Sequence, residues 1–300
     1  MWAVCPRPLG AWGPAGHHVV AMIAEARLSP ATADKIRKIL LDGSYTLAQI
    51  STCADAVRDT GQHHKPWPGE EMCGMLAGPL PADTGPWHYI DIPAPKYEKS
   101  LAQYCPGDNC VVAMLKKFTD TLRNSKDDAQ RRSALLFVVH FMGDIHQPLH
   151  CAERACDKGG NSELVNFFLG GKQRPKENLH KVWDTDLVDK AMADAQISDQ
   201  RAYAEHLLAA LNPEKAQRWV TASIDDIAWE SHSLAVKRVY RGIPFQNFCE
   251  SDALGAVVDL RPKYERIGAH TVAQQLVKAG VRLAAVLESA LGLAGTAPTN

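Results

Sequence analysis

The residues with most chemical capability converge on one stretch, Phe137-Val-Val-His140-Phe-Met-Gly-Asp144-Ile-His146-Gln-Pro148-Leu-His150-Cys151. The apolar run from Ser133 to Val139 predicts a buried helix, on which His140 and Asp144, four residues apart, share one face. Pro148 cannot continue that helix, so the chain bends just before His150 and can turn a third polar group toward the same place. A carboxylate buried without a partner is costly, and a cation is one of the few partners that removes the cost. The competing expectation is a self-satisfied His140–Asp144 core pair with His150 at the surface. A second pair at the same spacing, His180 and Asp184, occurs in Asn178-Leu-His180-Lys-Val-Trp183-Asp184. The chain adds His88 and Asp91 in Trp87-His88-Tyr89-Ile-Asp91, Asp55 on a helix, and His17 near the start. His18, His63, His64, His146, His206, His232 and His270 are read as structural or exposed.

Imidazole and carboxylate without thiolate is the donor set of catalytic rather than structural zinc. The donors outnumber the needs of one ion, which implies more than one metal. Ions about 3.5–4 Å apart suit in-line attack on a phosphodiester.

Composition narrows the partners. Three hundred residues suffice for one large domain or two ordinary ones. A formal net charge of −1 excludes a global basic field for nucleic acid, so phosphate binding must be local. Glu25, His140 and Arg282 interrupt the three longest apolar runs, which excludes a membrane-spanning helix. Among eight cysteines, Cys105/Cys110 and Cys151/Cys156 are spaced as local disulfides and Cys73/Cys249 as a long-range pair, leaving Cys5 and Cys53. That usage points to an oxidising compartment.

The elements that must position these residues are mostly helical. Helices are expected from Trp12 to about Leu28, from Pro30 (capped by Ser29) to about Leu41, over Leu47 to Arg58, Val111 to Arg123 and Asp127 to Gln147. Others are expected from Asn178, at about 199–211, 213–229 and 232–240, and over about 264–291. Residues 60–110 form a loop-rich insert with a β-prone run at 85–93, and Ser162 to Leu169 reads as a strand or hairpin half. The expectation is one all-α domain over 12–291, with a possible small β-hairpin, a leader at 1–11 and a flexible tail at 292–300.

Taken together, Trp12-Gly-x-x-Gly-His17, Ala54-Asp55, Trp87-His88-Tyr-Ile-Asp91, His140-Phe-x-Gly-Asp144-x-His-Gln-Pro-Leu-His150, Gly159-Gly-Asn161 and Asn178-Leu-His180-x-x-Trp183-Asp184 resemble the S1/P1 nuclease family. The resemblance implies the all-helical fold of the zinc phospholipase C and P1 nuclease type, and three zinc ions. One ion would be held by Asp55, His88, His140 and Asp144, and a second by His150, His180 and Asp184. The third would take His17, bridging Asp144, and the α-amino and carbonyl groups of Trp12, which requires removal of residues 1–11. The implied activity is hydrolysis of single-stranded DNA or RNA and of 3′-nucleotides by metal-bound hydroxide steadied by Asp55, leaving 5′-phosphates. Tyr89 is a candidate for base stacking, and Asn161 and Lys96 for phosphate contact. Asp91 is a candidate acceptor for a ligand imidazole. The protein would be a monomer without stable membrane association.

The nearest rival is a zinc-dependent phospholipase C. The short Gly-Pro-Ala-Gly spacer after Trp12 and Asp184, where those phospholipases carry Glu, favour the nuclease. A non-catalytic, metal-stabilised secreted protein would retain zinc yet cleave no phosphodiester.

Overall fold

The computed structural model describes residues 12–58, 71–81, 83–95, 100–170, 172–250 and 254–292. Its helices in chain order are α1 (Pro14–Glu25), α2 (Pro30–Ile39), α3 (Leu47–Ile50), α4 (Cys53–Arg58), α5 (Cys73–Ala77), α6 (Val111–Asn124) and α7 (Asp128–Asp144). Then follow α8 (Leu179–Lys181), α9 (Leu187–Asp194), α10 (Gln200–Ala209), α11 (Pro213–Trp219), α12 (Ile224–Leu234) and α13 (Pro262–Leu291). None of the described helices is long and apolar enough to cross a membrane.

Two helices organise the rest. From Ala134 to Asp144 every residue of α7 is buried, as expected of a helix apolar on all sides. Asp127 caps its start by accepting from the amides of Ala129 and Gln130. The 30-residue α13 packs against α1, α6, α7 and α9. It lies so close to α1 that a Cβ on Gly280 would meet Ile23 Cγ2 at 2.3 Å. The expected hairpin is present as β1 (Leu164–Leu169) antiparallel to β2 (Lys172–Asn178). A short β3 (Val258–Asp259) joins β1 in parallel, giving the order β2-β1-β3.

Several expectations need correction. The helix expected over 47–58 is broken at Ser51-Thr52, and α4 restarts at Cys53. The helix expected over 213–229 is two, because Ser223 forms a capping box with Asp226 and begins α12 afresh. The segment at 232–240 continues α12 through a π turn, Ala235–Val239. The run at 85–93 opens as a 3₁₀ turn, Gly85–His88, started by Pro86; only its second half is extended, lying alongside Glu153.

The cysteines pair differently from the spacing argument. Cys105–Cys110 forms, but Cys53 joins Cys73 and Cys156 joins Cys249, while Cys151 is a buried thiol. Cys151 lies inside the 3₁₀ turn Pro148–Cys151 and faces the carbonyl of Ile145, whereas Cys156 sits in a turn at φ 63°. Close spacing does not set Cβ direction, which a disulfide requires. Cys5, residues 1–11 and 293–300 lie outside the described residues.

Candidate metal centre

Seven separate pieces of chain deliver the expected donors to one place. His17 comes from α1, Asp55 from α4, His88 from the 3₁₀ turn, and His140 and Asp144 from the end of α7. His150 follows Pro148 in its 3₁₀ turn, His180 lies in α8, and Asp184 in the π turn Val182–Asp186 that interrupts α8 and α9. Three groups have donor atoms mutually within 4.8 Å: His17/Asp55/His140, His88/His140/Asp144, and His150/His180/Asp184. His17 Nε2 is 3.4 Å from Asp144 Oδ1, and Asp55 Oδ1 is 3.6 Å from both His88 Nδ1 and His140 Nε2. Trp12 is fully buried near them: Gly13 N–H donates to the Asp184 carbonyl, and a Cβ on Gly143 would meet both Trp12 and His17.

The hydrogen bonds orient the imidazoles. Nδ1–H of His140 donates to the Ser51 carbonyl, that of His150 to His88, and that of His180 to Gly159, each at 2.7 Å. A carbonyl only accepts, so each Nδ1 carries a proton, and in the neutral ring each Nε2 presents a lone pair. His150 Nε2 then faces His180 Nε2 at 3.1 Å, with Asp184 Oδ2 3.1 Å from the latter. Likewise His140 Nε2 faces His88 Nδ1 at 3.1 Å beside Asp144. Lone pairs this close repel unless a proton or cation stands between them. Both nitrogens of His17, His88 Nε2, Asp144 Oδ1 and Asp184 Oδ2 are buried without a hydrogen-bond partner among the described residues.

The electrostatics of these groups point the same way. Burial, helped by neighbouring imidazoles, holds His17, His88 and His150 well below the usual histidine range, so all three are neutral donors. Burial opposes charge on His140 and His180 as well, but Asp144 and Asp184 outweigh it and raise both. Burial lifts Asp144 to about 7. One imidazole in each buried group thus holds a proton where a cation would serve. The donor atoms fit a metal of nitrogen and oxygen preference.

Other features were not legible as roles in the sequence. Gln147 donates to Asp184 Oδ1 while accepting from the Leu149 amide, so it orients that carboxylate. Arg58, three residues after Asp55, pairs with its Oδ1 at 3.1 Å and puts a cation beside the group; that i,i+3 spacing was the available signal. Gly159 serves the centre through its carbonyl; its φ of 62°, and the 2.8 Å at which a Cβ there would meet the Leu149 carbonyl oxygen, require glycine.

Among the remaining expected residues, Tyr89 is 40% exposed next to His88. Asn161 donates an amide hydrogen to Lys158 within its own loop. The Nδ1–H groups of His140, His150 and His180 go to backbone carbonyls, and the Asp91 carboxyl is raised to about 7 by burial, then by Glu153 and Asp157. Lys96 lies outside the described residues.

The S1/P1 nuclease family model matches residues 12–292. Endonuclease 2 of Arabidopsis thaliana is 30% identical over 97% of this chain and 95% of its own length. Nuclease P1 of Penicillium citrinum is 27% identical over 91% of this chain and 95% of its own. Nuclease S1 of Aspergillus oryzae is 30% identical over 65% of this chain and 61% of its own.

Proposed function

The chain belongs to the S1/P1 nuclease family and is a hydrolase, an endonuclease acting on nucleic acid; from that premise we propose that it is a zinc phosphodiesterase cleaving single-stranded DNA and RNA, and 3′-nucleotides, to 5′-phosphorylated products. The observation that carries the reading is the opposed pair His150 Nε2 and His180 Nε2, 3.1 Å apart with both Nδ1 protons committed elsewhere. Asp55, His88, His140 and Asp144 would hold one ion, and His150, His180 and Asp184 a second. His17, Asp144 and the α-amino and carbonyl groups of Trp12 would hold a third, in a domain beginning at Trp12 after removal of 1–11. Zinc bound there supplies Lewis acidity to phosphate oxygens and lowers the pKa of water.

The chain's own residues do the rest. Asp55, only partly buried, orients the attacking water and accepts its proton at a carboxylate oxygen. Arg58 balances charge on the phosphate beside it. Tyr89 offers an exposed ring to a base, and Asn161 retains a second amide hydrogen for a phosphate oxygen. The disulfides suit a secreted or periplasmic protein, which would act as a monomer.

The test is metal content with hydrolysis of a single-stranded oligonucleotide, a 3′-nucleotide and phosphatidylcholine, on the full chain and on protein beginning at Trp12. Three zincs with oligonucleotide and 3′-nucleotide cleavage in the trimmed form support the reading. Three zincs with cleavage of phosphatidylcholine alone would transfer it to a phospholipase C, and fewer than two zincs would end it.

A further inference from the structure

Outside the centre, the described surface concentrates positive charge where the end of α12 meets the start of α13. Lys237, Arg238 and Arg241 lie on the first segment, and Arg261, Lys263 and Arg266 on the second; all six are exposed. None has a carboxylate partner among the described residues. The one acid within the two segments, Glu265, is buried and accepts from the Phe168 amide. In a chain of net charge −1 such an excess is not compositional.

The two segments are tied together and to the centre. Tyr264 Oη donates to the Val239 carbonyl at 2.8 Å and accepts from Trp183 Nε1 at 2.9 Å. Trp183 immediately precedes Asp184. Between the segments lies a cavity of about 420 Å³ lined by Arg238, Arg266, His270 and Lys278, the last already paired with Glu230.

We propose that this surface is a second, non-catalytic site for the phosphate backbone of a single-stranded nucleic acid, engaging nucleotides beyond those at the metal centre. It rests on the reading of the centre as the place of cleavage. Each phosphate contact releases counterions from the strand, so the site adds affinity in proportion to contacts made and loses it in salt. Short substrates reach only the centre; long ones reach both.

The experiment compares the zinc-loaded protein with its Arg238→Gln/Arg266→Gln variant, both exposed positions whose change leaves the core intact. Cleavage is measured on a dinucleotide and on a strand of about 20 nucleotides, longer than the roughly 4–16 that one binding groove covers. Binding of a phosphorothioate strand of that length is followed by fluorescence anisotropy across a salt series, with phosphatidylserine vesicles as a second probe. The variant should keep dinucleotide kcat/KM, bind the long strand about tenfold more weakly, and lose about 1.4 from its salt slope. Unchanged long-strand binding overturns the proposal, as does an equal loss on both substrates, which would place the effect in the centre. Loss of vesicle binding with strand binding intact overturns it in favour of a membrane-facing surface. A protein that cleaves neither substrate yet binds the strand through these arginines would refute the cleavage reading and keep this one.

Discussion

His146 and His150 lie four residues apart and are both buried, yet they belong to two clusters built on opposite terms. At His146 every polar atom is matched: Nδ1–H donates to the Met142 carbonyl, and Nε2 accepts from Arg282. Arg282 is held in turn by Glu230 and the Trp219 carbonyl, and Gln275 donates to the His146 carbonyl. At the candidate centre each of His140, His150 and His180 has one matched nitrogen, and the other is aimed at a further donor atom. Burial alone therefore does not distinguish a structural histidine from a ligand. The unmatched half does, because an uncompensated buried lone pair is tolerated only where something else completes it.

The largest expected effect falls on the unmatched cluster. Asp144→Asn should cut nuclease activity about a thousandfold by weakening two proposed ion sites, while the chelated protein melts where chelated wild type does. Activity within tenfold of wild type would remove Asp144 from the assignment. Arg282→Met tests the matched cluster, where exposing Glu230 and His146 to a lost partner should cost about 3 kcal/mol in urea unfolding with zinc content unchanged. A loss of zinc at unchanged stability would mean the clusters are not separable.

The clusters should also divide in pH. Burial first, then Arg282, pushes His146 down to about 3, so the unfolded chain binds a proton there that the folded chain refuses. The stability His146 contributes is complete above about 6.5 and is lost as pH falls toward 3, amounting to about 2 kcal/mol by pH 5. His146→Gln should flatten that part of the zinc-loaded protein's stability profile; an identical slope in the variant would contradict the assignment. Smallest is Gly159→Ala, which strains a positive φ and displaces the carbonyl that orients His180: about 1 kcal/mol, with activity down about tenfold. Full activity would show that the His180 tautomer does not depend on that carbonyl.

What could be read from the chain was what repeats at helical spacing. His140/Asp144 and His180/Asp184 are local pairs, and the structure has both within 3.3 Å. The mainly helical class followed from the apolar periodicity of α1, α7 and α13 for the same reason. The break at Ser51-Thr52 was missed because nothing local demands it; its consequence, a carbonyl free to accept from His140, is visible only once α7 lies beside it. The Cys156–Cys249 link, 93 residues apart, escaped for the same cause, since nearness along the chain says nothing about side-chain direction. Arg58 was in view three residues from Asp55 but had no partner to give it a role.

The sequence by itself determined the donor inventory, the pairs within a helical turn, and the bend at Pro148, because each depends on backbone geometry over a few residues. Tertiary structure alone decided which donors share a group, which nitrogen of each imidazole is left open, and which cysteines meet. Those depend on carbonyls and side chains brought from remote segments, and only a packed core fixes their positions to within a hydrogen bond.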